Sequence, residues 1–531
     1  MRYFFAYLFC ALLTLFPTVT SFAAPATPQP AVPTAVPTTT DAVIPVTSPV
    51  VLPSEGLVSL HNTLLLFPWG TAARIPKPTG VTGNWVLLDA QGYHVQESVF
   101  SATETFLSFP GLPEGAYYLF WDYPTSGLPS LNAPFAKRIS FVVLPPESNQ
   151  PADHFFAVNH LNLATDLLRS KGIPEAEFLL PFEALSRLGI HRMRVDISAE
   201  TAAPKRKHEY DFRAVDQVVK AAGDRGVRLI AMLGQDPEYP TELLRKYEFQ
   251  LDEFTLRSAI AKQAPAIFLE KSAPIYRALK ERSPYCDITI GGLPTDGTLL
   301  PNLLQKYDKA YDGLDFTADG SLIAAEKLTG DIRTLVPNAD AQNKALIIAS
   351  AGCSVGNDSI NEQWAQAHET LKKMFWFKYQ GYRYFSNAVL IDPEKDTNNF
   401  GLFSAPTRDF PPQPRLLAAA WARAIANLAN AKPIKRLGYS GPKVEAFAFA
   451  RPDSVIVTAW VPQVSGDTRT DKRSAITLRW PNDTSAIVQN ILGQNVTTHR
   501  LVKRAPGQFD LVLNEDPVYL IISTSQENVG W

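Results

Sequence analysis

Residues 153–430 alternate short apolar strands with amphipathic helices, and this alternation constrains the fold more than any other feature of the chain. The first three strands begin at Phe155, Ile190 and Val227, so successive strands start 35 and 37 residues apart. Apolar side chains between the strands recur with a period near 3.6, which is typical of helices with one buried face. Five further strands are predicted at 247–252, 288–293, 314–317, 345–349 and 388–391. Eight such units over about 280 residues predict a (β/α)8 barrel.

Both sides of the barrel region are rich in short strands. Residues 54–146 and 433–531 contain brief apolar runs separated by Gly and Pro turns, with little helical periodicity. This spacing is typical of β-sandwiches. The predicted fold class is therefore multidomain α/β plus β, with an N-terminal β-sandwich at 54–146, a TIM barrel at 152–432 and a C-terminal β-sandwich at 433–531.

The first 53 residues predict export. Arg2 precedes an apolar run at 3–16, and Ser21-Phe22-Ala23 places small residues at the −3 and −1 positions of a cleavage site. These features predict a signal peptide at 1–23 and a periplasmic, cell-surface or extracellular protein. Residues 24–53 are rich in Pro and Thr, which predicts an extended linker. No later segment is apolar enough to predict a transmembrane span in the mature chain.

Charge and residue counts exclude several functions. The chain has 50 Lys and Arg against 52 Asp and Glu, which argues against a nucleic-acid partner. Histidines do not cluster and no Gly-rich phosphate loop is present, so we expect neither a metal site nor a cofactor. Cleavage of the signal would leave Cys286 and Cys353, which fall at opposite ends of the predicted barrel. We therefore expect two free thiols.

Function in this kind of barrel resides at the carboxyl ends of the strands. Polar residues at those predicted ends are Asn159, His160, Arg194, Asp196, Gln235, Asp236, Tyr239, Asp252, Glu253, Asp296, Asp319, Ser350 and Asp392. Carboxylates dominate this set. Glycoside hydrolysis needs one carboxylic acid and one carboxylate, so the set favours that chemistry. The same residues would also suit a barrel that only binds sugar hydroxyls.

Four segments resemble retaining (β/α)8-barrel glycoside hydrolases, especially the xylosidase and exopolysaccharide-hydrolase families. They are LSRLGIHRMRVDIS, YDFRAVDQVVKAAGDRGVRLIAMLGQDPEY, YRALKERSPYCDITIGGL and QAHETLKKMFWFKYQGYRYF. The resemblance runs from Phe155 to about Leu428 and extends into the C-terminal β region. It implies an acid/base Glu at the end of strand 4 and a nucleophile Glu just after strand 7.

The two catalytic positions depart from that family. The best match at strand 4 is KYEFQLDEF, which aligns Glu253 with the acid/base and Asp252 with the preceding Asn. At strand 7, KALIIASAGCS places Ser350 where the nucleophile Glu should be. In the family an Arg equivalent to Arg194 holds the nucleophile, so here Arg194 needs another partner, for which Asp196 is the candidate.

Three functions remain open at this point. In the first alternative, the protein binds a polysaccharide at the barrel mouth but is catalytically degenerate, because Ser350 replaces the nucleophile Glu. Alternatively, it is an active glycosidase with Glu253 as acid/base and a relocated carboxylate, Asp392, Asp319 or Asp296. The third alternative is an envelope scaffold or assembly protein without sugar chemistry. The partner in the first two cases is a polysaccharide or oligosaccharide.

Overall fold

The structure is a computed structural model. It describes residues 64–78, 80–122, 137–147, 151–161, 175–199, 210–234, 236, 238–257, 265–292, 300–336, 344–356, 358–393, 399–406, 410–437, 444–462, 473–479 and 485–523. The predicted signal peptide and linker lie outside these residues. Among the helices described, none is both long and apolar enough to cross a membrane.

The N-terminal region consists of two sheets with a common core. Its strands are β1 Leu66–Phe67, β2 Ala73–Pro76, β3 Asn84–Asp89, β4 His94–Val99, β5 Phe106–Phe109, β6 Gly115–Trp121 and β7 Lys137–Val143. One sheet has the order β1-β7-β6-β3-β4 and the other pairs β2 with β5. Phe109 of the smaller sheet packs against Trp85 and Phe141 of the larger one, at ring distances of 5.5 and 5.9 Å. Aromatic burial therefore holds the two sheets together.

The centre of the chain is a closed barrel of eight parallel strands, as predicted. The strands are β8 Phe156–Asn159, β9 Arg192–Asp196, β10 Arg228–Leu233, β11 Glu253–Arg257, β12 Asp287–Gly291, β13 Gly313–Asp319, β14 Ala345–Gly352 and β15 Phe385–Asn387. The helices are α1 Glu175–Leu188, α2 Arg213–Gly223, α3 Tyr239–Tyr247, α4 Pro265–Arg282, α5 Leu300–Lys306, α6 Leu322–Leu335, α7 Ile360–Tyr379 and α8 Leu416–Leu428.

Two of the predicted barrel strands are wrong. Residues 247–252 were predicted as strand 4, but α3 extends to Tyr247 and the strand begins only at Glu253. Residues 388–391 were predicted as strand 8, but the barrel strand is β15. The segment Val389–Ile391 forms β16, which pairs with β17, Gly401–Phe403, outside the barrel.

The C-terminal region again has two sheets. Its strands are β18 Lys432–Arg436, β19 Glu445–Ala450, β20 Ser454–Trp460, β21 Ser474–Arg479, β22 Ala486–Asn490, β23 Leu501–Ala505, β24 Gln508–Leu513 and β25 Val518–Ser523, with the short helix α9 at Thr497–Arg500. The sheet orders are β18-β19-β20-β25-β22 and β21-β24-β23. Ile476 and Leu511 of the smaller sheet share a buried cluster with Val457 and Val488 of the larger one.

Helix α7 connects the three regions. It begins with a capping box, in which the Ser359 side chain and Glu362 satisfy each other's backbone N–H groups. On one side, Tyr118 of β6 donates a hydrogen bond of 3.0 Å to Gln363. On the other, Phe375 packs edge-on against Tyr519 of β25 at 5.5 Å. Helix α7 therefore contacts both flanking β regions.

The barrel interior is tight around Gly291, which gives a testable prediction. A Cβ at Gly291 would lie 2.0 Å from Oδ1 of Asp315 on the neighbouring strand. We therefore expect Gly291→Ala to lower the free energy of unfolding by about 1–3 kcal/mol, as overpacked core substitutions do. Gly330, in the middle of α6, is exposed and has no atom within 4 Å of a Cβ. Gly330→Ala should raise stability by about 0.5–1 kcal/mol, since helical glycine is entropically costly. If the urea midpoints of both variants shifted in the same direction, the result would contradict the predicted crowding at Gly291.

Candidate functional site

The carboxyl ends of the barrel strands form one rim, which we call the mouth. Among the described residues it carries Asn159, His160, Asp196, Asp236, Thr317, Asp319 and Ser350. Gln235 and Asp296 were predicted site residues, but they lie outside the described residues. The same holds for most of the segments that follow β8, β9, β11 and β12.

Arg194 lies inside the barrel below the mouth, and its predicted partner is wrong. Its guanidinium forms a fully buried ion pair of 2.9 Å with Asp315 of β13. A second nitrogen donates to the Ala349 carbonyl oxygen at 2.7 Å. Asp196 instead accepts a hydrogen bond from the backbone N–H of Ser198 at 2.9 Å. Asp315 was missed by sequence reasoning, because the two partners are 121 residues apart and meet only across the closed barrel.

The side chain of Asn159 forms its hydrogen bonds inside the barrel. It is buried, and its amide nitrogen donates to the Ala349 carbonyl oxygen at 2.9 Å. Its amide oxygen accepts from the Ser386 hydroxyl at 2.9 Å. Both ends of the amide therefore have protein partners. The predicted substrate contact through Asn159 has no support in this geometry.

His160, Thr317 and Ser350 are polar residues at the mouth whose side chains keep some solvent exposure. Thr317 is exposed, and Ser350 and His160 are half-buried. Thr317 on β13 is paired with Ser350 on β14, directly after a shift in the register of the two strands. Burial lowers the pKa of His160 to about 4, so its imidazole is neutral at neutral pH. A neutral imidazole can donate and accept hydrogen bonds, and so can each of the two hydroxyls.

Two further predicted residues lie at the side of the mouth that follows β10. Asp236 is half-buried and accepts a hydrogen bond of 3.0 Å from the Tyr210 hydroxyl. Tyr239 is buried in the first turn of α3, where its hydroxyl donates to the Ile197 carbonyl oxygen at 2.5 Å. Its ring packs on Tyr210 at 4.9 Å. Tyr239 therefore supports the loop and presents no free ring to a ligand.

The predicted position of Glu253 is wrong, because it lies at the opposite end of the barrel. It is the first residue of β11 and is paired in register with Asp287, the first residue of β12. The side chain is buried and forms an ion pair of 2.6 Å with Arg192. Burial raises the pKa of Glu253, and the Arg192 guanidinium opposes that shift. Asp252, the predicted companion, is 3.5 Å from Arg228 at the same end.

The true end of strand 4 carries no carboxylate. β11 ends at Arg257, and the next seven residues in the sequence are SAIAKQA. Neither Asp nor Glu occurs between Arg257 and Pro265. At strand 7, Ser350 lies within β14. Both positions at which the resemblance implies a catalytic Glu therefore lack one.

Asp392 is held in place by protein groups on both oxygens. It is buried, forms an ion pair with Arg415 and accepts a hydrogen bond of 2.7 Å from the backbone N–H of Gly401. Gly401 is required there, because a Cβ would lie 2.9 Å from the same carboxylate oxygen. Asp392 follows β16 and not a barrel strand. Asp319, in contrast, is exposed at the carboxyl end of β13.

The thiol prediction is confirmed, since Cys286 and Cys353 are both free. Cys286 is buried, which raises its pKa to about 11. Cys353 is half-buried just after β14. Within the described ranges, no three His, Cys, Asp or Glu residues are grouped so that they could hold a metal ion.

Comparison with solved structures identifies the fold. A family 39 glycoside hydrolase from Bacteroides cellulosilyticus WH2 is 15% identical, with a TM-score of 0.66 over 86% of this chain and 99% of that chain. The α-L-arabinofuranosidase of Thermotoga maritima is 10% identical, with a TM-score of 0.50 over 71% of this chain and 98% of that chain. No protein-family model and no curated protein matches the sequence.

Proposed function

We propose that the chain is an exported sugar-binding protein whose barrel mouth holds a polysaccharide without hydrolysing it. The chain has the (β/α)8-barrel fold of glycoside hydrolases, with additional β-rich regions on both sides. The observation that carries this proposal is the sequence at the carboxyl end of β11, the fourth barrel strand. From Arg257 to Pro265 the chain offers no group that could protonate a leaving oxygen as a carboxylic acid does.

Strand 7 supports the same conclusion. A retaining mechanism needs a carboxylate as nucleophile, close to the acid/base. Ser350 has a neutral hydroxyl, which cannot stabilise a positively charged glycosyl centre as an ionised carboxylate does. Arg194, the residue that would hold such a carboxylate, is already paired with Asp315 and donates to the Ala349 carbonyl oxygen. A hydrolytic mechanism would thus have to be assembled from other groups.

The groups that remain at the mouth are suited to binding. Thr317, Ser350, His160, Asp196 and Asp236 are at least partly accessible and are hydrogen-bonding side chains. Sugar hydroxyls both donate and accept, and these groups match them. The sugar partner itself is proposed from the fold, because the structures to which the chain is similar are glycoside hydrolases.

The test combines a hydrolysis assay with a binding assay on the mature chain. Neutral and acidic polysaccharides are incubated with the protein and the release of reducing ends is measured. Affinity electrophoresis in gels that contain the same polymers measures binding. We expect no release above the blank and retardation by at least one polymer.

One pair of variants assigns that binding to the mouth. Thr317→Trp places a large ring on the rim, whereas Thr334→Trp makes the same change on the exposed surface of α6. Thr317→Trp should weaken mouth binding about tenfold or more, which is about 1.4 kcal/mol. Thr334→Trp should leave it unchanged. Equal effects of the two variants would overturn the assignment to the mouth.

An active glycosidase with a relocated carboxylate is the second candidate. The observation that favours it is the exposure of Asp319 at the end of β13. In that case wild-type protein releases reducing ends and Asp319→Asn abolishes the release without weakening binding. Asp392 is a poor candidate because both of its oxygens have protein partners. Failure of the wild type to bind any polymer would favour the scaffold alternative.

Export and the layout of the flanking regions belong to the same proposal. The apolar run at 3–16 and the Ser21-Phe22-Ala23 sequence support cleavage after Ala23. The mass of the exported protein should then match a chain that starts at Ala24. We also infer that each flanking region is a β-sandwich, since residues from both of its sheets share one buried cluster.

A further inference from the structure

A large cleft lies away from the barrel centre, where the three regions of the chain meet. Its volume is about 1150 Å³. One wall is the turn after β3, from Asp89 to Tyr93, and a second is the first three turns of α7. The third wall comes from the turn after β22 and the segment before β25. Gly320 and Cys353, which directly follow the barrel strands β13 and β14, also line the cleft.

The three walls are held at a fixed spacing by hydrogen bonds. The indole nitrogen of Trp364, on α7, donates to the Ala90 carbonyl oxygen at 2.9 Å. Gln91 and Gln494 exchange side-chain hydrogen bonds, which join the N-terminal and C-terminal β regions directly. His368 of α7 lies 3.5 Å from Asp516. The cleft is therefore preformed, which lowers the entropic cost of binding.

The lining includes two accessible aromatic rings and five amide side chains. Tyr93 is 71% exposed and Trp364 is half-buried, so both rings present surface to the cleft. Trp460 is fully buried in the wall, and its indole N–H has no partner among the described residues. The amides that line the cleft are Gln91, Asn361, Asn490, Gln494 and Asn495. Amides donate and accept, and aromatic rings pack against apolar faces.

The charges in the cleft argue against an anionic ligand. The acidic lining residues are Asp89, Glu369, Glu515 and Asp516, and the basic ones are Lys372 and Arg500. Lys372 is already paired with Glu369 at 2.9 Å, and Arg500 lies 4.0 Å from Asp516. Both basic side chains of the described lining thus lie near carboxylates, and the four acidic residues outnumber the two basic ones. A ligand with hydroxyl groups and no charge meets these requirements.

We propose that this cleft, bounded by Tyr93, Trp364 and the Asn490–Val496 turn, binds an uncharged oligosaccharide segment. A sugar ring has an apolar face that suits the aromatic rings. Its hydroxyl edges suit the amide N–H groups and lone pairs that the hydrogen bonds among Gln91, Asn490 and Gln494 do not use. The volume exceeds the range of about 300–1,000 Å³ that is usual for small-molecule sites, so several sugar units fit better than one. The proposal goes beyond the mouth site and does not depend on it.

Affinity electrophoresis with three neutral polymers and one acidic polymer tests this cleft. The probes are arabinoxylan, mixed-linkage β-glucan, galactomannan and polygalacturonate, and the protein is the full mature chain. We expect at least one neutral polymer to retard the wild type and polygalacturonate to have no effect. Retardation by polygalacturonate alone, or by no polymer, would overturn the proposal.

Two variants remove the aromatic surface, and a matched variant controls for it. Tyr93→Ala should weaken binding about threefold to tenfold, and Trp364→Ala about tenfold or more. Tyr93 is the safer substitution because its side chain is mostly exposed. Tyr285→Ala is the control, since Tyr285 is 95% exposed between α4 and β12 and is not part of the cleft lining. The proposal would be overturned if the Tyr93→Ala and Tyr285→Ala proteins bound the polymer with equal affinity.

The mouth variant separates the two sites. If only Thr317→Trp lowers binding, the cleft proposal fails and the mouth proposal stands. If only Tyr93→Ala and Trp364→Ala lower binding, the cleft proposal stands and the mouth proposal fails. Additive losses in the Tyr93→Ala, Thr317→Trp double variant would mean that one polymer chain uses both sites.

Discussion

Replacement of Glu253 by glutamine should lower the free energy of unfolding by about 3–5 kcal/mol and leave polysaccharide binding by the folded protein unchanged. The reason is that Glu253 neutralises Arg192, and both side chains are buried at the amino-terminal end of the barrel. Removal of one partner of a buried pair leaves an uncompensated charge. Urea unfolding, followed by intrinsic fluorescence, measures the loss.

A neighbouring carboxylate provides the control for this prediction. Asp252 lies 3.5 Å from Arg228, but its side chain is 53% exposed. Asp252→Asn should therefore cost less than about 1 kcal/mol. The double variant Arg192→Met, Glu253→Leu should regain most of the lost stability, since an apolar pair removes both buried charges. A Glu253→Gln protein of normal stability that had lost a hydrolytic activity would restore the acid/base assignment.

The barrel could be predicted because its period is local information. The repeat of about 36 residues and the apolar face of α2 depend only on neighbours along the chain, and both are present in the structure. The same local reasoning failed at α3. Tyr247, Phe249 and Leu251 alternate as a strand would, but Phe249 is 96% exposed and Leu243, Tyr247 and Leu251 are buried. A spacing of four residues is typical of a helix. It could have indicated that Glu253 begins the next strand and does not end one.

Strand 8 was missed for a different reason. The apolar run 388–391 predicts a strand, whereas the barrel strand β15 contains Ser386 and Asn387. Both are buried and polar: Ser386 donates to Asn159, and the Asn387 amide nitrogen donates to the carbonyl oxygens of Val389 and Phe400. A hydrophobic pattern cannot reveal such a strand, since two of its three residues are polar.

The ion pairs inside the barrel could not be predicted at all. The sequence RMRVD places Arg192 and Arg194 on the same face of β9. It does not reveal that Glu253 and Asp315 are their partners, because these lie on β11 and β13. Partner choice depends on closure and register of the whole barrel. The sequence therefore predicts polar residues at several strand ends, but their partners follow only from the closed barrel.

The second large effect is expected for Asp392→Asn, which distinguishes a structural carboxylate from a relocated catalytic one. Asp392 and the Arg415 guanidinium are buried together, and the Gly401 N–H donates to the second carboxylate oxygen. An amide at position 392 leaves Arg415 with Asp358 as its only charged partner among the described residues. We expect a loss of about 3 kcal/mol in the free energy of unfolding.

Asp358→Asn is the matched change on the other side of the same guanidinium. Its side chain is 34% exposed, and asparagine tolerates the positive φ of 53° at this position. This variant should cost about 1 kcal/mol or less, because solvent screens the partly exposed charge. Neither variant should change polymer binding once the folded fraction is taken into account. If Asp392→Asn instead kept its stability and abolished release of reducing ends, Asp392 would have to leave Arg415 and reach the sugar. The degenerate assignment of the barrel would then be wrong, since the chain would possess the carboxylate that β11 and β14 lack.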